Sequence, residues 1–134
     1  SIFEYLKDGY IREVNKINAL FNNSSIENLT AAEVRFHPTL PILYASIRDK
    51  DDLNRDKISV FKAEGSKTKL IDVVPAIVNF PRNFNLDPTG KWMLVAGQRS
   101  KNIAVFSINP KGIPIYTKRI YEFPGEPVCI EFLN

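Results

Sequence analysis

Short β-branched and aromatic runs, broken by Pro, Gly, Asp and Asn, predict an all-β chain. The runs recur with a period of about 45–50 residues and four to a unit. That is the pattern of β-propeller blades, each a four-stranded antiparallel meander. Helical periodicity is nearly absent. Residues 25–32 could hold a turn or two, but "FNNSSIENLT" reads better as a long polar loop.

The strands follow in order. Residues 2–6 and 10–17 look like the second half of a unit. Residues 33–36, 42–47, 57–62 and 70–74 make a complete unit, and 83–86, 92–96, 102–108 and 115–121 make another. Residues 128–133 open a further one. The repeat is visible directly, because "VRFHPTLPILYASIR" aligns with "FNLDPTGKWMLVAGQ", and "KISVFKAEGSKTKLIDV" with "NIAVFSINPKGIPIYTK". In that register Pro38 meets Pro88, Tyr44 meets Leu94 and Arg48 meets Gln98.

The expected organisation is one partial propeller domain over residues 1–134. The end of one blade lies at 1–18, whole blades at 31–75 and 81–121, and the first strand of the next at 127–134. About two and a half blades cannot close a ring, and both ends would expose sheet faces and edges. The chain is therefore expected to be part of a longer one, with self-association through open blade edges as the other way of covering them.

Composition narrows the function classes. Of 134 residues, 44% are hydrophobic and 25% charged, which is ordinary soluble globular usage. The net charge of +3 is spread along the chain, so the concentrated basic face of a nucleic-acid binder is not expected. Apolar runs such as "WMLVAG" fall far short of the roughly 20 residues that cross a bilayer, so no membrane partner is expected either. Cys129 is the only cysteine, which excludes an internal disulfide and a cysteine-based zinc site and fits a cytoplasmic setting. Sequons at Asn22, Asn23 and Asn28 would matter only in a secreted protein.

Blade geometry then gathers residues distant in sequence. In an antiparallel meander the start of the inner strand A and the end of strand B lie on one face of the propeller. The connection into A and the loop from B to C therefore meet at one mouth of the central channel. The early-A positions read Ala31-Ala32-Glu33, Pro81-Arg82-Asn83 and Pro127-Val128-Cys129. Arg82 has Ala32 and Val128 as repeat mates, so blade architecture does not demand a cation there. The B-to-C positions add Arg48, Gln98 and Arg99.

Several guanidiniums around one carboxylate suit an anionic ligand, because Arg presents a planar fork of donors and stays charged. The candidates are Glu33, Arg48 and Arg82 as catalytic residues, with Asn83, Gln98 and Arg99 binding substrate. A buried Glu33 could serve as general base or acid. The alternative is that these charges pair with one another and hold the blades in register.

Other residues read as structural. His37 in "FHPT" sits at the A-to-B turn, on the opposite face from Arg48, and is expected to cap that turn. Trp92 and Tyr44 are expected to pack between blades, and the outer-strand tyrosines to pack on their sheets. The acidic run "RDKDDLNRDK" lacks the Gly and terminal Glu of a calcium loop and reads as a solvated insertion. No phosphate-binding Gly-rich loop, nucleophile elbow or zinc spacing is present.

The segments "LYASIRDK", "DKISVF", "FPRNFNLDPTGKWMLVAGQ" and "NIAVFSINPKG" resemble the lactonase family of seven-bladed β-propellers. The family pattern runs roughly Leu-Tyr-x-Ser-Asn-Arg, then Pro-Arg-x-Phe-x-x-Asp-Pro-x-Gly, then an Asn-Gln or Gly-Gln pair. Residues 43–48, 81–90 and 97–98 match these in turn, with Ile47 replacing the usual Asn or Asp. The resemblance covers nearly the whole chain and looks like the C-terminal third of a member.

That resemblance implies hydrolysis of 6-phosphogluconolactone to 6-phosphogluconate, a step of the pentose phosphate pathway, without metal or organic cofactor. It places Arg48, Arg82 and Glu33 in the family's polar cleft, with a small anionic sugar lactone as partner. Members also draw on blades not present here, including a His-bearing segment upstream, so this chain alone is expected to be inactive. A muconate-type lactonising cyclase stays open as a second reading. A non-catalytic protein-binding propeller is the third, although the Trp-Asp and Gly-His marks of WD repeats are missing.

Overall fold

A computed structural model of the chain describes residues 1–21 and 26–133. It contains strands β1 (Ile2–Tyr5), β2 (Ile11–Asn15), β3 (Leu29–Phe36), β4 (Ile42–Asp49), β5 (Lys57–Lys62), β6 (Lys69–Pro75), β7 (Pro81–Leu86), β8 (Trp92–Gly97), β9 (Asn102–Ile108) and β10 (Pro114–Glu122). They form three antiparallel sheets in sequence order: β1-β2, β3-β4-β5-β6 and β7-β8-β9-β10. The last two are meanders of four strands. The fold class read from the sequence therefore stands.

Two strand ends differ from expectation. β3 begins at Leu29, four residues earlier than the sequence suggests, because Leu29 and Thr30 pair with Asp49 and Arg48 across the sheet. The polar loop thus yields its last residues to the strand. Residues 128–133 form no strand. Instead Asn83 Oδ1 accepts from the Ile130 backbone N–H at 2.9 Å, and Asn85 Nδ2 donates to Ile130 O at 2.9 Å. This segment meets β7 through side chains instead of a backbone ladder. The Asn22 and Asn23 sequons lie outside the described residues. Asn28 has φ +59 and its amide donates to Asp51.

Strand alternation sends one row of side chains from each four-stranded sheet into the space between them. Tyr44, Ile58 and Val60 of one sheet and Phe84, Met93 and Phe106 of the other are buried there. The Tyr44 ring meets Phe84 edge to face at 6.4 Å, and its hydroxyl donates to Gly112 O at 2.8 Å. Burial raises the Tyr44 phenol well above its ordinary pKa. Tyr44→Phe deprives a buried carbonyl of its donor and is expected to cost about 1–2 kcal/mol. Denaturant unfolding of the two proteins checks this, and equal midpoints would contradict it.

Trp92, expected between blades as well, is 42% exposed and lies outside this core. Of the tyrosines expected to pack on their sheets, Tyr116 lies against Phe106 at 5.6 Å, while Tyr5, Tyr10 and Tyr121 are exposed.

The A-to-B turns sit at the opposite mouth. His37 is buried, and its Nδ1 accepts from the backbone N–H of Thr39 and Leu40 at 3.1 and 2.9 Å. That leaves the proton on Nε2, which donates to Gly90 O in the next blade at 3.0 Å. His37 thus caps its own turn and ties it to the neighbouring one. Gly90 is required twice over: its φ is +71, and a Cβ there would collide with the His37 ring.

Candidate functional site

The first turns of β3 and β7 carry the same irregularity at matching repeat positions. The register of β3 against β4 slips between Ala31 and Val34, and that of β7 against β8 slips between Pro81 and Asn83. These β-bulges re-aim side chains that regular alternation would place otherwise. They fall on Ala32-Glu33 and on Arg82, which is where the repeat comparison found unusual residues.

The six candidates form three local contacts at this mouth. In the first, Asn83 Nδ2 donates to Glu33 Oε2, joining the inner strands of the two complete blades. Asn83 is buried and also receives Ile130 N–H, so it is held from both sides. In the second, Arg82 Nη1 lies 3.4 Å from Gln98 Oε1, and Gln98 Nε2 donates to Glu126 at 2.9 Å. In the third, the guanidiniums of Arg48 and Arg99 lie over the Phe80 ring, 4.9 and 4.1 Å from its centroid.

The expected cluster of cations around one carboxylate is drawn differently. Glu33 is ion-paired with Arg35, at 3.5 Å, and Arg35 also reaches Glu131 at 3.3 Å. Arg35 was missed in the sequence. The available signal was its two-residue spacing from Glu33, which puts both on one face of β3. Its repeat mates Asn85 and Glu131 are also polar. Arg48 donates from Nη2 to Ala31 O at 3.3 Å, while its Nε is buried without a partner. Arg99 is paired with Asp52 at 2.7 Å. That contact, with the Asn79 amide behind it, holds the Asp52 carboxyl below its usual value.

The acidic loop between β4 and β5 is more than the solvated insertion expected. Its two ends are buried carboxylates, because each has backbone donors that water would otherwise serve. Asp49 accepts from Arg55 Nε and Nη2 at 3.1 and 2.8 Å, and from the backbone N–H of Asp51 and Leu53. The Arg55 guanidinium holds it far below the usual carboxylate range. Asp56 accepts the N–H of Asp49 and of Phe80, and burial pushes its pKa up. Among the described residues no group of three or more His, Cys, Asp and Glu is placed to hold a metal ion.

A cavity of about 450 Å³ lies beside the start of β3, lined by apolar side chains such as Ile17, Leu20 and Ile47. It contains none of the six candidate residues.

Two four-stranded antiparallel meanders, each opening on a bulged strand with polar residues at its entry, define propeller-type blades. The sequence profile described as "Lactonase, 7-bladed beta-propeller" matches residues 1–132, and the chain belongs to that family. A curated 6-phosphogluconolactonase from Formosa agariphila is 38% identical over 104 residues, covering 76% of this chain and 27% of that protein. A solved candidate 6-phosphogluconolactonase from Bacteroides fragilis is 26% identical with a TM-score of 0.81, covering 98% of this chain and 35% of its own. The periplasmic gluconolactonase of Pseudomonas aeruginosa superimposes with a TM-score of 0.86 over 98% of this chain and 36% of its own. At 20% identity that last likeness shows the fold alone. The chain spans between 27% and 36% of the length of these relatives.

Proposed function

We propose that the propeller to which this chain belongs hydrolyses a sugar-acid lactone, taking 6-phosphogluconolactone to 6-phosphogluconate in the cytoplasmic pentose phosphate pathway. This chain contributes part of the site, as the outer half of one blade, two whole blades and the inner strand of the next. One observation carries the reading. Among the described residues Arg48 and Arg82 have no carboxylate partner, whereas Arg35 and Arg55 each have two and Arg99 has one. Unneutralised guanidiniums at a shared rim, next to the Glu33–Asn83 pair, are built to receive an anion.

The chemistry follows from the groups present. Glu33 takes a proton from water as the water oxygen attacks the lactone carbonyl carbon. Arg48 and Arg82 hold the substrate's phosphate and the oxyanion that develops on the carbonyl. The ring C–O bond then breaks, the ring oxygen leaves with a proton as a hydroxyl, and the new carboxylic acid ionises. Asn83 keeps the Glu33 carboxylate in place throughout.

In the full-length propeller, Arg48→Ala and Arg82→Ala are each expected to lower kcat/KM for 6-phosphogluconolactone about a hundredfold. Wild-type hydrolysis in both variants would sink the assignment. The 134-residue chain by itself is expected to show no turnover.

A further inference from the structure

Phe80 occupies the left-handed region, with φ +59, where a bulky side chain is a genuine outlier. Its backbone is pinned there on both sides. The Phe80 N–H donates to the buried Asp56 at 3.1 Å, and Phe80 O accepts from Gln98 N–H at 3.1 Å. Blade architecture does not call for this residue, because its repeat mates are Thr30 and Glu126. Strain that the surroundings over-determine marks a residue whose side chain must be held in one place.

The Phe80 side chain carries two guanidiniums. Arg48 lies 4.9 Å and Arg99 4.1 Å from the ring centroid. Arg99 is steadied by Nη1 alone, which reaches Asp52 at 2.7 Å and Lys50 O at 3.4 Å. Its other nitrogens have no acceptor among the described residues. Arg48 keeps a single hydrogen bond, to Ala31 O, and has no acid partner among them. Both guanidiniums therefore lie within 5 Å of one ring centroid, Arg99 also paired with Asp52, and several of their donors have no acceptor among the described residues.

We propose that Phe80 is a positioning residue that presents Arg48 and Arg99 as a preset cradle for a phosphomonoester dianion. This rests on the lactonase reading for its substrate, and divides the labour of the rim. Arg48 and Arg99 take the phosphate, leaving Arg82, beside the Glu33–Asn83 pair, for the lactone carbonyl. A tetrahedral dianion with three terminal oxygens can accept from both forks at once, which a neutral sugar cannot.

The test uses the full-length propeller and three variants. Phe80→Leu keeps apolar bulk without a ring face, Phe80→Tyr keeps the ring, and Arg99→Gln leaves the core untouched. Inorganic phosphate binding is measured by calorimetry. KM and kcat are measured for 6-phosphogluconolactone and for unphosphorylated gluconolactone. Phe80→Leu and Arg99→Gln are expected to weaken phosphate about tenfold and to raise KM for the phosphorylated lactone alike. Any change with gluconolactone should be much smaller than with the phosphorylated lactone, and Phe80→Tyr should restore both parameters.

Parent-like phosphate affinity in Arg99→Gln, equal loss in Phe80→Leu and Phe80→Tyr, or no phosphate heat in the parent would each overturn the proposal. Phosphate binding that behaves as expected in a parent without lactonase activity would uphold the cradle. It would overturn only the reaction assigned above.

Discussion

Replacing Glu33 by glutamine in the full-length propeller should lower kcat for lactone hydrolysis by about a thousandfold while leaving KM near the parent value. General-base catalysis contributes roughly 10²–10⁴ in rate, and an amide cannot take the proton from water. The substitution suits the test because the local structure can keep its shape. The amide oxygen of the new side chain still accepts from Asn83 Nδ2, the contact that Glu33 makes now. The loss would then report chemistry instead of a collapsed bulge. Steady-state kinetics, with the melting temperature as a control for folding, decides the matter. A kcat within tenfold of the parent would remove Glu33 from the mechanism and leave the base to another blade.

The second large effect concerns stability. Asp49→Ala is expected to destabilise the protein by about 3–4 kcal/mol at neutral pH. It takes from the Arg55 guanidinium its buried partner, leaving only Asp51, and leaves the backbone N–H groups of Asp51, Leu53 and Arg55 without an acceptor. The pH dependence gives the prediction its signature. The Asp49 carboxyl titrates lower in the folded protein than in the unfolded chain. Its stabilisation is therefore complete above the unfolded value of about 4 and declines as the pH falls below it.

Asp56 works in the other sense, since its folded pKa is raised. Its favourable contribution exists in acid and is lost as the pH rises through the folded value. Asp56 is common to parent and variant, so it cancels to first order in their difference. The gap in melting temperature should thus be widest near neutrality and narrow towards pH 3. A gap independent of pH would mean that the side chain's volume, and not its charge, matters.

Much of the architecture was legible. Alternation and turn residues act between neighbours a few positions apart, so strands such as β5 and β9 came out with their ends in place. The self-repeat then placed Arg82 opposite Ala32 and Val128. The blade meander brought the entry to each A strand beside the end of B. That step was a rule of topology, and it gathered the rim residues without any knowledge of their contacts.

Some readings went astray for reasons outside local pattern, and the following are the clearest. β3 starts early because its extra residues find partners on β4. Residues 128–133 have strand-like sequence but meet β7 through side chains instead of a backbone ladder. The acidic loop looked solvated because its charges are obvious, whereas the backbone donors that bury Asp49 and Asp56 are silent in the sequence.

What the sequence determined by itself was therefore the blade: its strands, its turns, and the propeller face on which Arg48, Arg82 and Glu33 stand. Those depend on local chain stiffness and two-residue alternation. The tertiary structure decided which charge meets which. Glu33 finds Asn83 50 residues away, Arg35 spans 96 residues to Glu131, and Phe80 takes up Arg48 and Arg99. Such pairings are set by how one blade packs against the next, through distances of a few ångströms that no spacing along the chain encodes.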